Sequence, residues 1–369
     1  MVKVLFDHQT FSLQRYGGIS RYFSNIVKEL NGRTDFECKV GVVHSRNHYL
    51  ETREKILTGK LWNSLLKSDY GKRDYKVNGY YCEYLLKKGD FDIFHPTYYD
   101  PYYAIKVRKP VVLTVHDMTH ERLPEYFWAM NPLTHQKRLS IERADKIIAI
   151  SQATKNDILR YSNADPKKIE VIYHGIDICS PLKLKTVAGI PDNYLLFVGD
   201  RSGYKNFYIF IKAFKELSVK YPELEVILTG GGPLGIADLE LFYRLGLQSR
   251  IRHLQVTDDE LNFLYQKASV FVYPSLNEGF GLPILEAGKA GCPMVLSDID
   301  CFREIAQDSA LFFDPFDVQA LINAIESILT DSSLRLDLIA KSAKRLECFP
   351  IEKSVKETLD LYRTLGAER

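Results

Sequence analysis

Two glutamates, Glu278 and Glu286, share the stretch NEGFGLPILEAGKAG (277–291), with glycines and a proline between and around them. A carboxylate accepts two hydroxyl hydrogens, which suits the vicinal diol of a sugar. The preceding SVFVYPS reads as a strand, and Leu276 to Leu282 as the loop after it. Pro283 fits a first helical turn, where its missing N–H is no loss, so a helix is expected from about Pro283 to Ala290 with Gly291 as its stop. Glu278 then lies in the loop and Glu286 in the first turns of the helix, both directed at one strand end. The amides of Gly279, Phe280, Gly281 and Leu282 can donate to a phosphate or a sugar hydroxyl. The plainer alternative makes Glu286 a favourable charge at a helix N-terminus and Glu278 a surface loop residue. It leaves two carboxylates in one apolar turn without a reason.

Other residues gather at predicted strand ends. Arg201 and Lys205 sit in GDRSGYKN, directly after YLLFV. Arginine holds phosphate through two donors and lysine adds a compact charge, so the pair suits a diphosphate leaving group; a solvated basic loop is the alternative. His116 and Asp117 follow VVLTV, with His120 and Glu121 just beyond. Strand ends of this kind collect active-site residues in α/β folds, although a histidine satisfied by a loop carbonyl fits equally well. Gly17 and Gly18 precede a helical pattern from Ile19, where backbone can approach an anion; an ordinary tight turn is the competing reading. Asp298 and Asp300 flank Ile299, but the position equally suits a helix cap, so no metal-binding acidic pair is read there.

The elements that must position these residues form a regular series. Apolar runs at 3–6, 38–43, 92–95, 110–117, 146–151 and 170–175, then at 194–200, 224–232, 269–275, 293–298 and 310–315, each precede a turn and a helical pattern. Runs without polar alternation suit strands buried on both faces, and strand–helix alternation implies parallel sheets. The stretch from Leu5 to Leu30 resembles the one beginning at Leu195: strand, glycine-containing loop, amphipathic helix. Two Rossmann-like domains are therefore expected, with SPLKLKTVAGIPDN (180–193) as linker and a cleft between them. A length of 369 residues agrees with two cores. Forty-nine basic against 47 acidic residues, net +2, give no nucleic-acid footprint. Six cysteines without CxxC or zinc spacing read as reduced thiols of a cytosolic protein. No signal peptide is read at the N-terminus, and no apolar run approaches the ~18 residues of a spanning helix. Residues 51–90 are rich in Lys, Arg and aromatics, with Ile56, Leu57, Leu61, Leu65 and Leu66 at helical spacing. They read as helix surface over a core face, or as a docking face for an anionic membrane or a lipid-linked acceptor.

Glu278-GFGLPIL-Glu286 resembles the E-x7-E signature of retaining, nucleotide-sugar-dependent glycosyltransferases of family 4, which have the GT-B fold. YGGISRY (16–22), VHDMTHERLPEYF (115–127), ADKIIAISQATKNDIL (144–159), VIYHGID (171–177), FVGDRSGYKN (197–206) and LTGGGP (228–233) extend the likeness over nearly the whole chain. The resemblance implies an α/β GT-B fold: a Rossmann-like acceptor-binding domain over 1–180, a nucleotide-sugar-binding domain over 181–349, and a helix over 350–369 crossing back to the first. It further implies that Glu286 binds the donor ribose, Glu278 contacts the transferred sugar, and Arg201 and Lys205 neutralise the diphosphate. Gly18 would approach the phosphates and His116 would line the sugar site. No metal or other cofactor is expected. The partners implied are a nucleotide-sugar donor and a glycan or lipid-linked acceptor, at or near the inner face of the cell membrane, and no nucleic acid. FDHQTFSLQRYGGISRYF and VHDMTHERLPE resemble members that build bacterial surface polysaccharide, with a GDP-mannose-type donor favoured over a UDP-sugar. A catalytically silent scaffold of the same fold and a nucleotide-sugar epimerase are the alternatives. A phosphorylase lacks its pyridoxal-binding segment here, and a dehydrogenase lacks GxGxxG after the first strand.

Overall fold

The computed structural model describes residues 1–50, 72–201 and 203–367. The chain divides into two compact units, Met1–His174 with Glu352–Arg369, and Gly175–Ile351. In unit 1, strands β1 (Val2–Phe6), β2 (Phe36–Val40) and β3 (Ile93–His95) pair in the order β2-β1-β3. Strands β4 (Val112–Val115), β5 (Lys146–Ala149) and β6 (Ile169–Val171) pair in the order β4-β5-β6. A parallel bridge between Phe94 and Val111 joins the two sets. In unit 2, β7 (Tyr194–Val198), β8 (Glu225–Thr229), β9 (Ile251–Leu254), β10 (Val270–Tyr273), β11 (Met294–Ser297) and β12 (Leu311–Phe313) form one sheet ordered β12-β11-β10-β7-β8-β9. Numbered within the unit this is the 3-2-1-4-5-6 order of a Rossmann fold. Every strand pair in both units is parallel.

Parallel strands require covering helices, and the sequence supplies them. Tyr194, Leu195, Leu196 and Phe197 of β7 are buried to 2% exposure or less, so both faces of the sheet are closed. The following helix Phe207–Lys220 buries Phe207, Phe210, Phe214 and Leu217, one apolar stripe at helical spacing. Phe207 and Phe210 lie 5.1 and 5.8 Å from the Phe197 ring. Each such buried side chain contributes about 2–3 kcal/mol against exposure. In unit 1, helix Gly18–Asn31 turns Tyr22, Phe23, Ile26, Val27 and Leu30 inward.

Eleven strand runs read from sequence have counterparts here; β9 does not. Of its residues IRHL only Ile251 is buried, and Arg252 and His253 interrupt the apolar run at the sheet edge, so no continuous run marks them. Within the 51–90 segment, residues 51–71 and their leucines lie outside the described residues. Helix Lys72–Lys88 has a buried stripe that is polar rather than leucine-rich: Asp74, Asn78 and Cys82. Asn78 Oδ1 accepts from the amides of Val43 and His44, and Asp74 meets the His44 ring at 3.1 Å. Tyr80 and Tyr84 of this helix are exposed. Among the described residues no helix is long and apolar enough to cross a membrane.

The last helix, Ile351–Ala367, packs into unit 1, where Tyr362 OH meets His95 Nδ1 at 2.6 Å and Arg363 pairs with Asp35 at 2.8 Å. At the ends of unit 2 the chain pairs with itself: Ile176 N–H donates to Phe349 O and Ile351 N–H to Ile176 O, each at 3.0 Å. A Cβ on Gly175 would stand 2.7 Å from Ile351 Cα, so glycine alone allows this approach.

Candidate functional site

In an open α/β sheet, ligands bind outside the carboxyl ends of the strands where the strand order reverses. In unit 2 that point lies between β7 and β10. The loop after β7 carries Arg201 and Lys205; the loop after β10 carries Glu278. Leu276 N–H donates to Tyr204 O at 2.8 Å and ties the loops together. Lys205 Nζ then meets Glu278 Oε1 at 2.6 Å, with both side chains largely buried. The ammonium also faces the rings of Tyr204 and Tyr273, at 5.1 and 5.8 Å. Burial works against the lysine charge, but the Glu278 carboxylate outweighs it and holds Lys205 above the ordinary lysine range. Burial, and then Glu278, push the Tyr273 phenol well up.

Helix Leu282–Lys289 starts one residue earlier than expected from its proline, and Gly281 before it has φ 91°. A side chain at that φ is strained, and its Cβ would press on Ile284 and Phe302 at 3.0 and 3.1 Å. Phe280 is buried edge-on against Phe349, ring centroids 5.7 Å apart, so its side chain anchors the loop. Glu286 lies on the helix, 3.5 Å from the Tyr265 hydroxyl. Ser275, fully buried in the same loop, has a hydroxyl with no hydrogen-bond partner among the described residues. A serine between a strand and a glutamate loop carries no periodic or motif signal, and sequence reasoning missed it.

Arg201 is turned elsewhere. Its Nε donates to Asp238 Oδ2 at 3.0 Å, and its terminal nitrogens donate to the carbonyls of Gly230, Gly232 and Pro233 at 3.4, 3.2 and 2.8 Å. Asp238 also accepts from Gly235 N–H at 2.9 Å, capping helix Ile236–Leu245. Gly230, Gly231 and Gly232 all have positive φ, and a Cβ on Gly231 would stand 2.4 Å from Asp200 Cα. Arg201 thus clasps the glycine loop after β8. Asp238 was invisible in the sequence because its partner lies in a different loop. Asp298 pairs with Arg303 through both oxygens, at 2.6 and 2.7 Å. Asp300 opens helix Asp300–Ala306.

In unit 1, His116 stands at the end of β4, buried, with its N–H held by Tyr99 OH at 2.8 Å. Its Nε2 has no hydrogen-bond partner among the described residues. Burial lowers the imidazole to about 4, Lys137 adds to the effect and Asp117 opposes it, so the ring is neutral at pH 7. Lys137, 1% exposed, braces the loop by meeting Glu121 Oε2 at 2.9 Å and Asp117 O at 3.0 Å. Gly17 and Gly18 begin helix Gly18–Asn31, but its first turn is partly occupied by the protein itself. Gln14 Oε1 accepts from Ser20 N–H at 3.2 Å, and a Cβ on Gly17 would meet that oxygen at 2.5 Å. At the reversal between β1 and β3, Asp7 is fully buried and accepts from Thr97 N and Oγ1 and from Gln9 N and Nε2.

Two Rossmann-like units, one with a lysine–glutamate pair and a glycine-built loop at its strand reversal, define the GT-B class of α/β fold. Residues 16–179 match the family model described as Glycosyltransferase Family 4, and residues 184–345 the one described as Glycosyl transferases group 1. The O-antigen chain mannosyltransferase B of Escherichia coli is 30% identical over 291 residues, 74% of this chain and 74% of that protein. The chain belongs to this glycosyltransferase family. The O-antigen chain mannosyltransferase RfbU of Salmonella typhimurium is 30% identical over 228 residues, covering 62% of this chain and 63% of that protein's length. Among solved structures, HepE from Anabaena in complex with UDP and glucose aligns with TM-score 0.73 at 18% identity, covering 99% of this chain and 100% of that one.

Proposed function

We propose that the chain is a retaining glycosyltransferase that moves a hexose from a nucleoside-diphosphate sugar to a glycan or lipid-linked acceptor of bacterial surface polysaccharide. A GDP-mannose-type donor is favoured by the O-antigen mannosyltransferases among its relatives, with UDP-sugars second. The observation that carries the reading is the Lys205–Glu278 pair at the β7/β10 reversal. In the free protein each group holds the other. A donor offers sugar hydroxyls to the Glu278 carboxylate and phosphate oxygens to the Lys205 ammonium, so one ion pair is exchanged for two charge-assisted contacts. Glu286 takes the ribose diol, and Gly279, Phe280, Gly281 and Leu282 present backbone to the donor. Gly17 and Gly18 let backbone approach the phosphates. Arg201 adds positive potential while bracing the glycine loop.

The bond from C1 to the diphosphate breaks through an oxocarbenium-like state, and its electron pair leaves with phosphate. Positive charge fixed beside that oxygen stabilises what develops there. An acceptor hydroxyl attacks C1 from the departing face and its proton passes to the leaving phosphate. His116 lines the sugar. The reaction as drawn needs no metal, and a chelator is expected to leave the rate unchanged. The site of action would be the cytoplasmic face of the membrane.

A thermal-shift screen of GDP-, UDP-, ADP- and dTDP-sugars is the first test, because a ligand selective for the native state raises its stability. Proton NMR of the product of the best donor then reads the anomer. An inverted product sinks the same-face scheme. Absence of both a thermal shift and nucleoside diphosphate release sinks the transferase reading and leaves a silent scaffold.

A further inference from the structure

Beside His116 stands a second imidazole that this reaction scheme does not use. His174 follows β6, is 5% exposed, and its ring lies 5.8 Å from that of His116 at an interplanar angle of 26°. Tyr22 packs on both, 4.6 Å from His174 and 5.8 Å edge-on from His116. The Phe23 edge is 5.9 Å from His116. Tyr22 is itself fixed from behind. Its hydroxyl meets Thr114 Oγ1 at 3.4 Å, Thr114 Oγ1 meets His95 Nε2 at 2.9 Å, and His95 Nδ1 meets Tyr362 OH at 2.6 Å. Thr358, on the same helix as Tyr362, also hydrogen-bonds the Tyr22 hydroxyl. A buried polar column therefore runs from the last helix through β3 and β4 to helix Gly18–Asn31, and the two imidazoles rest against its end.

His116 Nε2 is buried without a partner. Leaving such an atom unmet is unfavourable, and a ligand group that meets it removes the cost. The benefit requires that the ring not rotate away. We infer that His174 is a positioning residue for His116: its ring, backed by Tyr22, holds the His116 imidazole in the orientation that keeps Nε2 available to a sugar hydroxyl. The inference rests on the glycosyltransferase reading for its ligand, not for its geometry. The other groups facing His116 are Asp117, Lys137, Tyr99 and His95, and Arg21 faces His174. All remain in place when His174 alone is changed.

The test is His174→Ala beside His174→Phe in the full chain, with GDP-mannose as probe and His116 followed by imidazole NMR. The alanine variant opens one face of the ring. Its His116 midpoint should rise from about 4 toward the ordinary histidine value as burial is relieved. Turnover should fall about tenfold with donor KM within about twofold, since orientation rather than donor affinity is lost. The phenylalanine variant keeps the stack and should keep both the midpoint and turnover within about threefold of wild type. Should the alanine variant not fold, His174→Leu, which fills space without a flat ring, takes its place. An unchanged His116 midpoint and turnover in the alanine or leucine variant would overturn the proposal, as would a phenylalanine variant as impaired as alanine. If GDP-mannose is not turned over by the wild type, the donor assignment fails, while the NMR midpoints still judge the positioning role.

Discussion

At the end of β7 an ammonium and a carboxylate meet at 2.6 Å beside glycines with left-handed backbone. At the end of β1 the carboxylate of Asp7, more deeply buried than Glu278, is saturated by its own loops, and around His116 the titratable rings are kept neutral by burial. One architecture has thus been furnished twice, with opposite electrostatics. On the proposed function, the charged reversal would exchange its internal partners for those of an anionic ligand. The neutral one would, on the same proposal, fix shape and meet an uncharged, hydroxyl-rich ligand. Charge and backbone exposure, more than strand order, separate the two roles.

The comparison breaks most visibly at Lys205. Lys205→Met leaves Glu278 buried without its cation and should lower kcat/KM by about 10²–10³, the scale of removing one preorganised charge contact. A value near wild type would make the pair structural only. Next comes Gly231→Ala. Its Cβ would collide with Asp200 Cα, and φ is 65°. Unit 2 should lose about 2 kcal/mol or more, seen as a lower urea midpoint, because backbone cannot yield as a flexible side chain does. Asp238→Asn sharpens the contrast from the side of Arg201. Freed from its carboxylate, the glycine loop should loosen and donor KM rise about five- to tenfold with kcat little changed. Equal losses in kcat and kcat/KM would instead give Arg201 a contact made only in the transition state.

The smallest effect separates the units by pH. His8 and His116 are lowered to about 4 and His95 to about 3, chiefly by burial, against an unfolded value of 6.5. Below pH 6.5 the unfolded chain takes up protons first, so unit 1 loses stability as pH falls toward 4. Asp7 acts oppositely: burial raises it to about 6, so its contribution is present at low pH and lost as pH rises through 6. With His120 and His174 of the same unit also lowered by burial, five imidazoles stand against the Asp7 carboxyl, and the urea midpoint of β4 and β5, read by hydrogen exchange, should drop on acidification more than that of β7 and β8. Parallel pH profiles for the two units would remove the distinction.

Much of the fold was legible because parallel strands buried on both faces must be written as unbroken apolar runs. β9 escaped because an edge strand need not be. In the site, Glu278, Glu286 and Lys205 could be read from local spacing, since Lys205 and Glu278 follow adjacent strands and Glu286 lies on the helix next to Glu278. Tyr362 against His95, Asp238 against Arg201 and Lys137 against Glu121 could not. Each is a tertiary pair whose members carry no mutual periodicity, and a single buried lysine or tyrosine looks in sequence like any surface one. The two glycines at 17 and 18 were legible as a special backbone position. The Gln14 side chain that packs against Gly17 was not.

Unit 2 is a continuous stretch, residues 175–351, set inside a unit whose last helix comes after it. A ribosome therefore delivers β1 to β6 long before Thr358 and Tyr362 exist. Until then Tyr22 and His95 face an incomplete core, while unit 2, whose two ends pair at Ile176 and Phe349, already has everything it needs. The later-made unit is thus complete in the chain before the earlier one, whose core closes only with the final helix.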